Sequence, residues 1–212
     1  MNSFALKSTT LLLGALMMAT LFGLAGHTSD DANPLDISKH DVVMGEQDAP
    51  VTVIEYASMT CGHCADFHND VLPKIKKNYI DTGKINFVLR DMPWDPLALA
   101  VSKITRCAPD DKFYNFVSAF FDTQKSWVKS DDPIAALKKN ARLGGMDGES
   151  VEACLSNADV HARVTQSREK GLETLGVKST PTFFIGDDEV VPGNVGYEKM
   201  ANTLDEVLER RE

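Results

Sequence analysis

The sequence is poor in cysteine: its 212 residues contain four, and none of them precedes Cys61. We therefore expect no lipid-modified cysteine near the N-terminus. Internal repeats and low-complexity tracts are also absent. Basic residues are too few and too scattered to form a stripe, since 22 lysines and arginines face 31 acidic residues and the formal net charge is −9. This balance argues against a nucleic acid as a partner.

The N-terminal residues have the pattern of an export signal. Lys7 supplies a positive charge, residues 11–25 are nearly all apolar, and the run ends in a small-x-small cleavage motif. An apolar run of about fifteen residues is short for a membrane-spanning helix, which needs about twenty. We predict a signal peptide over residues 1–26, with an uncleaved membrane anchor starting near Phe4 as the alternative. Residues 27–40 are polar and turn-rich and predict a flexible linker.

The most informative feature is the pair Cys61 and Cys64, separated by Gly62 and His63. The pair follows an apolar, strand-like run and opens a helix-like run. Unpaired N–H groups and the helix dipole at such a position should lower the pKa of the first thiol. A protonated His63 could stabilise the same thiolate. Because the thiolate is the reactive form, the spacing favours redox chemistry with Cys61 as the nucleophile.

Two other interpretations of the pair stay open. A zinc site could use Cys61, Cys64 and His68, which lies four residues after Cys64 on the same helical face. Its fourth ligand would be missing nearby, because Cys107 and Cys154 stand alone and no second C-x-x-C exists. A purely structural disulfide is the other possibility. If neither holds, His68 is expected to be an ordinary, half-exposed helix residue.

The sequence around the pair predicts a strand, a helix and a second strand. Residues 51–54 and 85–89 are rich in β-branched and aromatic residues and predict strands. Apolar positions recur every four residues from Cys64 onward, which predicts an amphipathic helix. Pro73 lies inside that helix and predicts a kink near Val71.

The matching half of the sheet lies at the far end of the chain. Residues 182–185 and 189–191 predict a hairpin, and a final amphipathic helix follows. Strand signals vanish over residues 94–175, where helical spacing dominates. The simplest architecture is an α/β domain over residues 41–93 and 176–212, with an α-helical domain inserted between its halves.

These residues together resemble the DsbA-type thiol:disulfide oxidoreductases. The matching stretches are residues 51–58, the C-G-H-C motif at 61–64 and the S-T-P-T-F-F-I run at 179–185. The resemblance implies a thioredoxin-like fold with a helical insertion and the oxidation of folding, secreted proteins in the periplasm. It further implies a monomer that carries its redox equivalents on the cysteine pair without a bound cofactor. A membrane quinone-coupled oxidase would recycle it.

The resemblance also implies roles for further residues. Pro181 should follow a cis peptide bond and face the dithiol, leaving the backbone of Thr180 free to pair with an extended substrate. An ordinary trans proline is the alternative. Glu55, in the strand before the motif, would accept the proton of Cys64 if it is buried; a solvent-facing glutamate is the alternative.

The remaining expectations concern the helical region and the dipeptide. Cys107 and Cys154 resemble the second, structural disulfide of one subgroup, with two free buried thiols as the alternative. Many family oxidases have proline where this chain has Gly62, so a disulfide isomerase or reductase stays open as a function. Trp94 is expected either to border a substrate groove or to pack in an interdomain hinge.

Overall fold

The computed structural model describes residues 1, 33–187 and 189–211. The predicted signal segment, apart from Met1, and the first part of the predicted linker lie outside the described residues. No helix in the described part of the chain is both long enough and apolar enough to cross a membrane.

The fold is built on a mixed five-stranded sheet in the order β1-β3-β2-β4-β5. Strand β2 runs parallel to β3 and antiparallel to β4, so it lies in the centre of the sheet. The α/β class is therefore confirmed. The strands are β1 (Val43–Met44), β2 (Val51–Ala57), β3 (Ile85–Asp91), β4 (Thr182–Ile185) and β5 (Glu189–Pro192).

The helical stretch after the cysteine motif alternates between α and π hydrogen bonding. It consists of α1 (Gly62–Asp66), a π segment (Phe67–Val71), α2 (Leu72–Ile75) and a second π segment (Lys76–Ile80). Proline cannot donate a backbone hydrogen bond inside a helix, and the bonding pattern changes one residue before Pro73. This change lies at the position where the sequence predicts a kink.

Helices and turns fill the chain between β3 and β4. Aspartate side chains cap three of these helices, because the carboxylates of Asp95, Asp132 and Asp147 accept hydrogen bonds from first-turn N–H groups. The predicted domain boundaries at residues 94 and 175 stay a prediction. The helices are α3 (Pro96–Arg106), α4 (Phe113–Asp122), α5 (Gln124–Val128), α6 (Pro133–Leu143), α7 (Gly148–Ser156), α8 (Ala158–Glu169) and, after the sheet, α9 (Tyr197–Glu209).

The sheet is covered on both faces, which explains the near-continuous apolar character of β2. Side chains alternate between faces along a strand. Ile54 and Tyr56 pack into a smaller cluster with Phe184, whereas Val53 and Ala57 belong to the main core. Glu55 therefore lies on the face of the main core, the face that α1 covers.

Candidate functional site

The two cysteines of the motif differ in exposure although one helical turn separates them. Cys61 has an extended backbone conformation and stands directly before α1, where its side chain is half-buried. Cys64 lies in the first turn and is fully buried. Both are free thiols in the structure. An incoming thiolate can therefore reach only the Cys61 sulfur.

The environment of Cys61 favours its thiolate. Its pKa is lowered to about 6, first by a hydrogen bond with the Cys64 thiol and further by a hydrogen bond with Thr180 and by the backbone N–H groups of Cys64 and His63. Partial burial opposes this shift. The direction is the one that the sequence predicts, because the free N–H groups at a helix start favour an anion.

The environment of Cys64 favours its thiol. Burial raises the pKa of Cys64 well above its usual value, and the hydrogen bond to Cys61 and the negative charge of Glu55 raise it further. One sulfur of the pair thus carries the charge and the other carries the proton. This division suits a dithiol in which a single sulfur reacts with substrate.

His63 contributes in a different way from the one predicted. Its side chain is 81% exposed, and its Nδ1 atom lies 3.9 Å from Asp66 Oδ2. The imidazole therefore points into solvent, while the backbone N–H of His63 acts on the Cys61 sulfur.

Glu55 and His68 form a buried pair beneath the motif. Glu55 Oε2 lies 2.7 Å from His68 Nε2, and both side chains are almost completely inaccessible. The solvent-facing alternative for Glu55 and the half-exposed position expected for His68 are both wrong. The signal for His68 was its spacing, since a residue four positions after the buried Cys64 shares its helical face.

The pair retains capacity for further hydrogen bonds. Glu55 Oε1 and His68 Nδ1 have no partner among the described residues. Phe121 packs against the imidazole with 4.4 Å between ring centroids. A carboxylate joined to an imidazole in such an apolar site can hold or pass a proton.

The loop before β4 completes the exposed side of the site. The peptide bond between Thr180 and Pro181 is cis. The carbonyl oxygen of Thr180 lies 3.2 Å from Cys61 Sγ. Trp94 Nε1 donates to Thr180 Oγ1 at 3.2 Å while the indole stays 43% exposed. Trp94 thus lies beside the loop that contacts Cys61, and its contact with a substrate stays a prediction.

Two anchoring contacts were not predicted from the sequence. Gln124, in α5, is buried and donates from Nε2 to the carbonyl oxygens of Met59 and Cys61, at 2.8 and 2.9 Å. Thr60 Oγ1 donates to Asp95 Oδ2 at 2.5 Å. Asp95 has a recognisable cap pattern before a proline, but no local pattern marks Gln124.

The other two cysteines lie in the helical region. Cys107, at the end of α3, forms a disulfide with Cys154 in α7, and their Cα atoms are 6.1 Å apart. The structure does not bring this pair to the Cys61 site.

The zinc interpretation finds no set of ligands in the described residues. No group of three or more histidine, cysteine, aspartate or glutamate side chains there could hold a metal ion. His68, the third ligand in that interpretation, is bonded to Glu55 instead.

Residues 38–206 match the family model described as thioredoxin. Among solved structures, α-DsbA1 of Wolbachia pipientis superposes with a TM-score of 0.77 at 28% identity, over 84% of this chain and 95% of that one. Disulfide bond formation protein D of Bacillus subtilis is 26% identical over 80% of this chain and 78% of its own length.

A Rickettsia felis protein with the provisional name of protein-disulfide oxidoreductase is 29% identical over 82% of this chain. The match spans only 63% of the length of that curated relative.

Proposed function

Because the chain belongs to the thioredoxin family and shares the fold of its DsbA-type members, we propose that it is a protein dithiol:disulfide oxidoreductase. It donates the Cys61–Cys64 disulfide to exported proteins during their folding in the periplasm. The observation that carries the proposal is the asymmetry of the pair: an accessible Cys61 whose pKa is about 6 beside a buried, protonated Cys64.

The reaction begins with the oxidised pair. A substrate thiolate attacks Cys61 Sγ, the bond between Cys61 and Cys64 breaks, and a mixed disulfide forms. Cys64 departs as a thiolate and takes up a proton, as its raised pKa favours. A second substrate thiolate then attacks the substrate sulfur of the mixed disulfide, and Cys61 departs as a stable thiolate. The substrate loses two electrons and two protons, and the cysteine pair gains the two electrons. Cys64 takes up one proton, and the other is released to solvent because Cys61 remains a thiolate.

The proton on Cys64 needs a route through the core. Glu55 lies on the same face of the sheet and its charge acts on the Cys64 thiol. His68 holds one carboxylate oxygen and leaves the other free. In the proposed mechanism Glu55 exchanges the proton with Cys64 and His68 positions the carboxylate. Reoxidation by a membrane quinone-coupled partner would reverse the transfer.

Substrate recognition would use the loop before Pro181. The backbone of Thr180 lies beside the reactive sulfur, so an extended polypeptide that pairs with it would bring its own cysteine to Cys61. Main-chain hydrogen bonds of this kind depend little on the amino-acid sequence of the substrate. Trp94 offers an exposed aromatic face at the same edge. This arrangement suits unfolded proteins of varied sequence, and no bound cofactor enters the mechanism.

Disulfide transfer to a reduced peptide with two cysteines tests the proposal. The oxidised wild-type protein should oxidise the peptide stoichiometrically, whereas Cys61→Ser should be slower by a factor of about 10³ or more, since the attacked sulfur is gone. The double variant Cys107→Ala/Cys154→Ala is the matched control and should transfer disulfides at nearly the wild-type rate. Equal transfer by Cys61→Ser and the wild type would contradict the proposal.

A disulfide isomerase or reductase is the second candidate, and Gly62 is the observation that favours it. A glutathione titration of the Cys61/Cys64 pair separates the two. A strong oxidase should have a potential near that of DsbA, at about −120 mV, whereas protein disulfide isomerase lies at about −180 mV and the reductase thioredoxin at about −270 mV. Activity on a scrambled substrate combined with a low potential would favour the second function.

A further inference from the structure

A cavity of about 190 Å³ with several charged lining residues lies between α8, α3, the segment before β1 and the carboxyl ends of β2 and β3. No residue of the cysteine site lines it. Its charged lining residues are Asp41, Arg90, Asp91, Arg106, Arg163 and Lys170. Four cations and two carboxylates therefore surround a space that has room for several molecules of the size of water, each of about 30 Å³.

Two of the four cations are neutralised within the wall of the cavity. Arg90 Nη2 lies 2.8 Å from Asp41 Oδ2. Arg106 Nε lies 2.6 Å from Asp91 Oδ2. Arg163 and Lys170 form no ion pair with any described residue, although Arg163 donates from Nη2 to the carbonyl oxygen of His40.

Arg163 and Lys170, the two cations without an ion-pair partner among the described residues, are partly buried. The pKa of Arg163 is lowered, first by burial and then by the charge of Arg106. The pKa of Lys170 is lowered, first by burial and then by the charge of Arg90. Carboxylates oppose both shifts: Asp91, Asp110 and Asp41 act on Arg163, and Asp41 and Asp36 act on Lys170. Burial is therefore the main cause, and an anion in the cavity would stabilise the charged form of both groups.

Three buried polar atoms in the same wall have no partner in the described structure. They are Arg106 Nη1, Ser167 Oγ and Asp91 Oδ1. The side chains of Arg106 and Asp91 are 3% and 2% exposed, so bulk water does not reach them freely. Arg106 uses its remaining nitrogens for Asp91 and for the carbonyl oxygen of Leu89. Because buried polar groups are nearly always paired, these atoms point to an occupant of the cavity.

We propose that this cavity binds inorganic phosphate in a form that carries a P–OH group. Its oxygens would accept hydrogen bonds from Arg106, Ser167 and Lys170, and its hydroxyl would donate to Asp91 Oδ1. Arginine is well suited to bind phosphate through several N–H groups. Sulfate has the same shape but carries no proton at neutral pH, so one of its oxygens would face the Asp91 carboxylate. The cavity should therefore discriminate between the two anions.

Isothermal titration calorimetry of the purified full chain at pH 7 tests the proposal, with sodium phosphate and sodium sulfate at matched ionic strength. Phosphate should bind at least about tenfold more tightly than sulfate, the factor that corresponds to 1.4 kcal/mol. Lys170→Gln and Ser167→Ala should each weaken phosphate binding about tenfold. Lys178→Gln removes an exposed charge outside the cavity and should leave the binding unchanged.

Two further measurements test whether the P–OH group of the ligand is recognised. Phosphoserine at pH 8, where its phosphate has lost the second proton, should bind more weakly than inorganic phosphate. Asp91→Asn, with folding verified by circular dichroism, should reduce the preference for phosphate over sulfate.

Equal affinity for phosphate and sulfate, or for phosphate and phosphoserine, would overturn the proposal. The same holds if Lys170→Gln and Ser167→Ala bind like the wild type. If no anion binds at millimolar concentration, water fills the cavity and the proposal is likewise overturned.

Discussion

The chain holds two pairs of cysteines whose surroundings differ in almost every respect. Cys61 and Cys64 are three positions apart, lie at a helix start and are free thiols. Cys107 and Cys154 are 47 positions apart, lie at the end of α3 and in α7, and are joined. In the first pair only the Cys61 sulfur is accessible, the backbone of Thr180 lies beside it, and the buried carboxylate of Glu55 lies beneath the motif. The second pair ties two helices together.

The difference shows that chemistry at sulfur depends on what can reach it and on what holds the charge. At the first pair, N–H groups and the Cys64 thiol stabilise an anion on Cys61. Thiolates react and thiols do not, so this pair can exchange. A bond between distant positions instead removes conformations from the unfolded chain, and its effect is on stability.

Removing the second pair should show the largest effect on stability. The double variant Cys107→Ala/Cys154→Ala opens a loop of 47 positions, which in the chain-entropy model lowers the free energy of unfolding by about 4 kcal/mol. Chemical denaturation of the wild type and the variant measures the loss. Cys61→Ser/Cys64→Ser, compared with the reduced wild type, is the control and should lose much less. Equal losses would erase the distinction between the pairs.

The second prediction concerns the buried carboxylate of Glu55 and its role in proton transfer at the Cys61/Cys64 pair. Glu55→Gln keeps the shape of the side chain but removes the proton acceptor, so reoxidation of the reduced protein should slow by about 10². Stopped-flow kinetics over a range of pH values measures this, and His68→Gln should produce a smaller change. The Cys61 thiolate should still titrate near its wild-type pKa. An unchanged pH profile in Glu55→Gln would exclude Glu55 from the proton transfer.

The hydrogen bonds of Gln124 hold the backbone around Cys61, and a substitution at Gln124 measures how much they stabilise the protein. Gln124→Leu leaves the carbonyl groups of Met59 and Cys61 without their buried donor. We expect the free energy of unfolding to fall by about 2 kcal/mol. Thermal unfolding measures this loss, with Gln166→Leu, at an exposed position, as the control. If Gln124→Leu lowers the free energy of unfolding no more than the control does, the two hydrogen bonds contribute little to stability.

The pH dependence of stability should separate the reduced from the oxidised protein. The pKa of Cys61 is about 6 in the folded protein against a usual value of 9.0. The reduced protein should therefore gain stability as the pH rises from 6 to 9 and lose it as the pH falls through 6.

The gain should stay below about 1 kcal/mol per pH unit because Cys61 is partly exposed. Denaturation at a series of pH values measures it, with the oxidised protein as the control, since its Cys61 does not titrate. Identical slopes for both forms would contradict a lowered pKa.

The local elements could be predicted from the sequence because their signals are local. Apolar runs rich in β-branched and aromatic residues identified the strands, four-residue apolar spacing identified the helix after the motif, and the C-x-x-C motif identified the reactive sulfur. The pairing of Glu55 with His68 could not be predicted in the same way, because it joins a strand and a helix across the core. Gln124 lies 63 positions from Cys61, and only the packing of α5 brings the two together.

The sequence by itself determined the order of the elements, the place of the dithiol at a helix start and the direction in which the Cys61 pKa moves. Each of these depends on neighbours within a few residues. Only the tertiary structure decided that Glu55 is buried, that His68 holds it, that Trp94 contacts Thr180, and that four cations share one cavity. Such contacts depend on how distant segments pack, and burial changes the free energy of a charged or polar group far more than its local sequence does.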